Sequence, residues 1–259
     1  MLHMNKFLGC FLLMTLLWAS CSPEKKRINE QVMESGENPS DSPQDLPKVA
    51  FYQLEDSSQF PDAILELYSP LGNQIFRPGK VPFEFNIKNF PLENSTPGTP
   101  TLYTIINGGD PVGQLSPIFQ RELTQGTYRM VGYLVDQEGL ALKNFGNYVD
   151  RDFMVGDSRA FPYSAEPFLA VNYPRNGNVL ASGEDLIVDF LVLGGDMELD
   201  DLKVKILVND FTYEIDHMAP VRVENLPPGA YQVKIQLLRK DGKELEGPFS
   251  LVSKSVIVQ

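Results

Sequence analysis

One stretch of this chain occurs twice, and that repeat constrains the fold more than any other feature. Residues 123–139 and 226–242 align without a gap at an offset of 103, which places Leu123 on Leu226 and Tyr128 on Tyr231. The same offset places the apolar residues 153–155 on 256–258. A repeat of about 100 residues has the size of one small domain used twice. The sequence therefore predicts two copies of a single fold.

The repeated units have the pattern of short strands separated by turn residues. In the first unit, strands are predicted near residues 64–68, 81–87, 102–106, 118–123, 127–135 and 148–155. In the second, they are predicted near 168–171, 186–193, 202–208, 211–215, 221–226, 230–238 and 249–258. The pair Asn107-Gly108 predicts a tight hairpin. The predicted fold class is all-β, with antiparallel sandwiches at 62–156 and 168–259 and a linker at 157–167.

The N-terminus has the layout of a secretory signal. Lys6 precedes an apolar run over 7–18, and the small residues Ala19 and Ser20 follow it. The run is too short to cross a bilayer comfortably as a permanent helix. Residues 1–20 are therefore predicted to be a signal peptide.

Residues 17–21, Leu-Trp-Ala-Ser-Cys, resemble the bacterial lipobox. The resemblance implies cleavage before Cys21 and acylation of that cysteine, and three acyl chains hold a protein on a membrane far more firmly than one. Ser22 after the cysteine resembles the outer-membrane choice. The expectation is a lipoprotein carrying palmitate-type chains on the outer membrane, with the periplasmic and cell-surface sides both open.

The segment that follows is polar and contains Pro23, Pro39, Pro43 and Pro47. So few apolar residues cannot bury enough area to offset the entropy of ordering the chain. Residues 21–61 are predicted to be a flexible tether.

The repeated stretch resembles the entry to strand F of immunoglobulin-like and fibronectin type III-like modules. In residues 226–233, Leu-Pro-Pro-Gly-Ala-Tyr-Gln-Val, a leucine and a glycine-containing turn precede a tyrosine and an alternating strand. The resemblance implies that Tyr231 and Tyr128 form tyrosine corners, bonding back to the backbone between strands E and F. It covers about residues 62–259 and implies two tandem immunoglobulin-like sandwiches, but no particular function.

Composition excludes several function classes. The net charge of −12 provides no basic stripe for nucleic acid. No cysteine follows Cys21, so the body of the chain has neither a disulfide nor a thiol nucleophile. His217 is the only histidine beyond the N-terminal segment, so a Ser-His-Asp triad would have to use it, and a hydrolase using His217 is the weakest alternative. We favour an exposed histidine in a turn over a catalytic histidine. We expect that the protein is not an enzyme and binds no cofactor.

One loop concentrates four carboxylates: Asp196, Glu198, Asp200 and Asp201. They could supply oxygen ligands for calcium, although their spacing matches no ligand motif. A solvated acidic loop is the favoured interpretation.

Two loops of the first domain, 88–100 and 136–147, should share one end of the sandwich. Their apolar residues are Phe90, Leu92, Leu140, Leu142 and Phe145. These residues either form a contact patch for a partner or fold back over the core. The same end of the second domain is expected to make the interdomain contact through its loops.

The leading hypothesis is a non-catalytic binding or scaffold lipoprotein with an envelope protein as its partner. The alternative is carbohydrate binding, which requires a row of exposed aromatic side chains on one sheet face. The material for such a row is Tyr103, Tyr133, Tyr148 and Tyr213.

Overall fold

The computed structural model describes residues 48–55, 60–91, 98–162 and 166–259, and all regular structure in these ranges is β-strand. The all-β prediction is confirmed. None of the described segments forms a helix that could span a membrane. The predictions for residues 1–20, Cys21 and Leu92 lie outside the described residues.

Strand β1 (Ala50–Gln53) is the first strand of the described residues. Eight strands then form the first sandwich: β2 Ile64–Ser69, β3 Ile75–Phe76, β4 Gly79–Lys88, β5 Leu102–Ile106, β6 Val112–Gln114, β7 Ile118–Leu123, β8 Gly126–Leu134 and β9 Tyr148–Val155. One sheet has the order β2-β4-β7 and the other β3-β9-β8-β5-β6. Alternation along β4 turns Val81, Phe83 and Phe85 into the core between the sheets.

The second sandwich repeats this order with β10 Phe168–Tyr173, β11 Asn178–Leu180, β12 Leu186–Leu193, β13 Leu202–Val208, β14 Phe211–Ile215, β15 Val221–Glu224, β16 Gly229–Arg239 and β17 Leu251–Val258. Its sheets have the orders β1-β15-β12-β10 and β11-β17-β16-β13-β14. Each strand of the first sandwich has a counterpart in the second with the same place in its sheet.

Local turn chemistry also repeats. Asn107 and Gly108 both have positive φ, of 50° and 65°, as a tight hairpin turn requires. The Asn107 side chain accepts a hydrogen bond from Arg129 N and donates to Thr127 O. Asn209, which has a φ of 50°, makes the same pair of contacts across the second hairpin.

Strand β1 lies inside the segment predicted to be a tether, so the tether prediction for 21–61 is wrong at these residues. It pairs antiparallel with β15, placing Phe51 opposite Val223. The Phe51 ring packs on the second core and stacks on Tyr213 with ring centroids 5.4 Å apart. Main-chain pairing and burial of an aromatic ring together offset the entropy lost when these residues are ordered.

The two sandwiches contact each other through sheet faces as well as through loops, so the expectation that loops make the contact is right only in part. The contact cluster consists of side chains from β5, β8, β10 and β12 and from the loop after β8: Ile105, Val131, Tyr133, Val135, Ala141, Phe168, Ala170, Leu191 and Leu193. Strands β10 and β12 are apolar on both faces, and they bury one face in their own core and the other against the first sandwich.

Candidate functional site

Both tyrosine corners have the hydrogen bond that the family resemblance implies. Tyr231 Oη donates to Pro227 O at 2.8 Å, and Tyr128 Oη donates to Thr124 O at 2.8 Å. Burial raises the pKa of Tyr231. Each bond ties the start of a long strand to the turn before it.

A buried polar network lies in the middle of the contact between the sandwiches. The Asp189 carboxylate is fully buried and pairs with Lys143, whose side chain is 4% exposed. Its other oxygen accepts hydrogen bonds from Ala141 N at 2.8 Å and from Asn172 Nδ2 at 2.7 Å. Asn172 Oδ1 in turn accepts from Tyr133 Oη at 2.9 Å. Every member has a partner, as a buried charge requires.

A second polar contact joins the β5–β6 hairpin to the second sandwich. Lys254 Nζ donates to Asp110 Oδ1 at 2.6 Å and to Gly109 O at 3.1 Å. Burial acts to raise the pKa of Asp110, but hydrogen bonds from Lys254 and from Asn176 N lower it overall. Gly108 leaves room for Phe249 there, because a Cβ at Gly108 would lie 2.9 Å from the ring.

The tyrosine row needed for carbohydrate binding is not exposed. Tyr133 is fully buried and Tyr103 stacks beside it, because β10 and β12 cover this sheet face. Tyr148 is half-buried, and burial raises its pKa. Tyr213 belongs to the other sandwich and stacks on Phe51. Tyr133 is buried and the other three tyrosines are half-buried, so the four do not form a fully exposed row, and carbohydrate binding stays a prediction.

Of the predicted apolar loop residues that the structure describes, Phe90, Leu140, Leu142 and Phe145, only Phe145 is fully exposed. Leu142 is buried in the first core, so its assignment to a contact patch is wrong. Phe90 packs edge-on against Phe60 at 5.0 Å and covers the same core. Leu140 is half-buried in a small cavity between the sandwiches.

Phe145 is 97% exposed, which is unusual for a phenylalanine. It lines an open groove with Phe60, Pro61, Asp62, Ile64 and Asn89. Ile64 is itself 40% exposed. An exposed aromatic ring beside a partly apolar groove is the kind of surface that partners use.

His217 lies in the turn after β14, with its side chain 53% exposed. Its Nδ1 lies 3.0 Å from Asp216 Oδ1, and its other ring nitrogen contacts Gln53 on β1. The hydrogen bond with His217 lowers the pKa of Asp216. Asp216 and His217 can share this hydrogen bond because both lie just after the end of β14. In the described part of the chain, the hydrogen-bond partners of the His217 ring are Asp216 and Gln53, and no serine is among them.

The acidic loop uses its carboxylates to hold a turn. Asp196 Oδ1 accepts hydrogen bonds from Glu198 N and Leu199 N, and Asp200 Oδ2 accepts from Asp196 N. Among the residues with described positions, no three potential metal ligands are gathered. Calcium binding by Asp196, Glu198, Asp200 and Asp201 stays a prediction without geometric support.

Comparisons with known proteins find similarity at the level of structure alone. No family model and no curated protein matches the chain. The fibronectin(III)-like modules of Clostridium thermocellum CbhA match 76% of this chain and 94% of their own, at 11% identity and a TM-score of 0.29. Three N-terminal domains of the bacteriophage RB49 highly immunogenic outer capsid protein match 76% of this chain and 69% of theirs, at 11% identity and 0.22. The S-layer protein SbsC matches 81% of this chain and 28% of its own, at 11% identity and 0.19. These similarities are too weak to support an argument about function.

Proposed function

We propose that this protein is a lipid-anchored, non-catalytic scaffold of the bacterial outer membrane that binds an envelope protein. Cys21 carries the lipid, and the partner docks at the end of the first sandwich, over Phe145 and the groove beside it. The anchor keeps the two sandwiches at the membrane.

The observation that carries the proposal is the interface between the sandwiches. It contains a buried ion pair whose two members have further hydrogen-bond partners, together with an apolar cluster, so it resembles a domain core more than a transient contact. Strand β1 adds a further tie, since it leads into the first sandwich yet pairs with the second. Such a construction fixes the relative position of the two sandwiches, as a protein that presents a binding surface needs.

Phe145 supplies the candidate anchor residue. Aromatic residues that fill a partner's pocket commonly dominate binding energy, and truncating one typically weakens a complex by about tenfold or more. A ring exposed to this extent costs free energy in water and is stabilised when a partner covers it.

The test is affinity purification from gently solubilised membranes followed by mass spectrometry. Four forms are compared: wild type, Cys21→Ser, Phe145→Ser and the control Leu199→Ser. Leu199 suits the control because it is an apolar loop residue that is 84% exposed on the other sandwich. The proposal expects a stoichiometric protein partner with wild type and Leu199→Ser, and at least about tenfold less with Phe145→Ser.

Intact mass separates the anchor from the partner. Wild type should carry acyl chains on Cys21 and fractionate with membranes, whereas Cys21→Ser should do neither. An acylated protein without a stoichiometric partner would contradict the scaffold role. A wild-type mass without acyl chains would contradict the anchor.

A further inference from the structure

In the second sandwich, an added strand covers one edge of a sheet. Among the repeated strands β10–β17, β15 lies at the edge of its sheet. Strand β1 extends that sheet by pairing with β15. The inward side chain of β1, Phe51, covers Val223 and reaches Tyr213 on the opposite sheet. The added strand closes the gap between the two sheets on that side.

Strand β7 is the counterpart of β15 in the first sandwich, and its outer edge is open in the described part of the chain. There β7 pairs with β4 alone. Phe85 N donates to Pro117 O, so alternate residues from 117 onward turn their backbone groups toward β4. The backbone groups of Ile118, Gln120 and Glu122 therefore point to the open side. Ser116 Oγ accepts from Ile118 N, which leaves the N–H groups of Gln120 and Glu122 available.

The inward side chains of β15 are both apolar, Val221 and Val223, whereas one inward side chain of β7 is charged. Arg121 pairs with Val81, the first inward residue of β4, as Val223 pairs with Leu186, the first inward residue of β12. A guanidinium thus stands where the second sandwich has an apolar side chain that Phe51 covers. Its neighbours on the same face are Phe119 and Leu123, which pack on the core.

Arg121 has an unsatisfied nitrogen. Its Nη1 is buried and has no hydrogen-bond partner among the described residues. Burial lowers the pKa of Arg121, although an arginine stays charged at neutral pH. A buried donor without a partner costs free energy, and a carboxylate is the group that matches it best.

We propose that the open edge of β7 binds an extended segment of the partner protein, which adds as an antiparallel strand and places a carboxylate opposite Arg121. Apolar side chains two residues before and after the carboxylate cover Phe119 and Leu123. This proposal rests on the proposed function in one respect, because the strand that binds the β7 edge belongs to the protein partner. Backbone hydrogen bonds supply affinity and Arg121 supplies the choice of sequence.

An inward-pointing charge on an edge strand also hinders pairing with apolar strands, including those of other copies. Arg121 therefore rejects an apolar strand and accepts an acidic one, since only the second leaves no buried group unpaired. A purely protective role predicts that no strand binds at all, and the experiment separates the two roles.

The probes are two synthetic heptapeptides, Thr-Val-Thr-Glu-Thr-Val-Thr and the same peptide with Lys at the centre. Binding to the full-length chain in detergent is measured by fluorescence polarisation of labelled peptide and by amide shifts of Gln120 and Glu122. The Glu peptide should bind at least about tenfold more tightly than the Lys peptide. Arg121→Glu should reverse that order, and Lys234→Glu, which makes the same charge change on the other sandwich, should leave it unchanged.

Gln120→Pro provides a second variant that spares Arg121. It removes an N–H that faces the open side, so the β4–β7 pairing is kept while both peptides lose binding. Equal binding of the Glu peptide to wild type and Gln120→Pro would overturn the proposal, as would no detectable binding to wild type. A dimer in sedimentation that Gln120→Pro abolishes would assign the edge to a second copy instead. A photo-crosslink from position 120 to residues 1–47 of the same chain would assign it to the chain's own N-terminal segment. These peptide results do not depend on the co-purification experiment, so either proposal can fail alone.

Discussion

Replacing Lys143 by Met should weaken the protein and also divide its unfolding into two steps. In wild type, Lys143 neutralises a carboxylate that has no exposure to solvent and also donates to Phe190 O at 2.8 Å. Met fills a similar volume but leaves Asp189 buried with two neutral donors and no cation. Removing one partner of a buried ion pair typically costs about 3–5 kcal/mol. A domain is stabilised by about 5–15 kcal/mol in total, so the loss is a large fraction of it.

The control is the double variant Lys143→Met with Asp189→Asn. The Asn oxygen can still accept from Ala141 N and Asn172 Nδ2, and no charge remains buried. Its cost should be about 1–3 kcal/mol, because the remaining defects are unpaired neutral groups. The double variant should therefore be more stable than Lys143→Met alone, which is the signature of coupled residues.

Urea unfolding followed by far-UV circular dichroism measures both effects. Wild type should show one transition, because the interface couples the sandwiches. Lys143→Met should show two, since the pair lies between them. A change of less than about 1 kcal/mol with a single transition would refute the view that the ion pair holds the sandwiches together.

Three further predictions follow from local contacts. Tyr231→Phe removes the corner hydrogen bond to Pro227 O and should cost about 0.5–1.5 kcal/mol in urea unfolding, and no loss would contradict a structural role. Phe51→Ala should lower the free energy of unfolding by about 1–3 kcal/mol. The loss should be larger than for Tyr52→Ala, because the Phe51 ring faces the core while Tyr52 is 39% exposed. An equal loss of unfolding free energy in the two variants would mean that β1 does not close the second sandwich. Hydrogen bonds from Lys88, Asn86 and Tyr68 lower the pKa of Glu66 from 4.5 to about 2, so its contribution to stability is full above pH 4.5 and is lost as the pH falls toward 2. In an NMR titration, Lys88→Met should move the Glu66 midpoint upward, and an unchanged midpoint would show that Lys88 is not the main cause.

Most strands could be predicted from the sequence because one side chain in two faces the core. This alternation is clear along β4, β13 and β16, whose inward positions are buried and whose outward positions are not. Strands β3, β6 and β11 have only two or three residues, too few to show a period. Strand β1 lies in a polar, proline-rich context, and its pairing is determined by an edge about 170 residues later in the chain.

The sequence indicates that the strands of the interface between the sandwiches are buried on both faces, but it does not show which residues they contact. The apolar runs of β10 and β12 lack alternation, which indicates burial on both faces. Asp189 within such a run must have a cation or several donors. That the cation is Lys143, 46 residues earlier, depends on how the sheet faces meet.

The exposure of the candidate contact residues also could not be predicted from the sequence. Leu142 and Phe145 are three residues apart on one loop, yet the first is buried and the second is almost fully exposed. The path of the loop decides between them, and composition does not encode that path. Arg121 was more accessible to sequence reasoning, since its place between Phe119 and Leu123 puts a charge on the inward face of a predicted strand.

The most direct test of the scaffold proposal is site-specific photo-crosslinking in living cells. A photoreactive phenylalanine analogue replaces Phe145 in one strain and Leu199 in another, with Cys21 intact in both. We predict that position 145 crosslinks to one protein species in the envelope and that position 199 does not. Crosslinks that are absent at 145, or equally abundant and diverse at both positions, would contradict a specific protein partner at the end of the first sandwich.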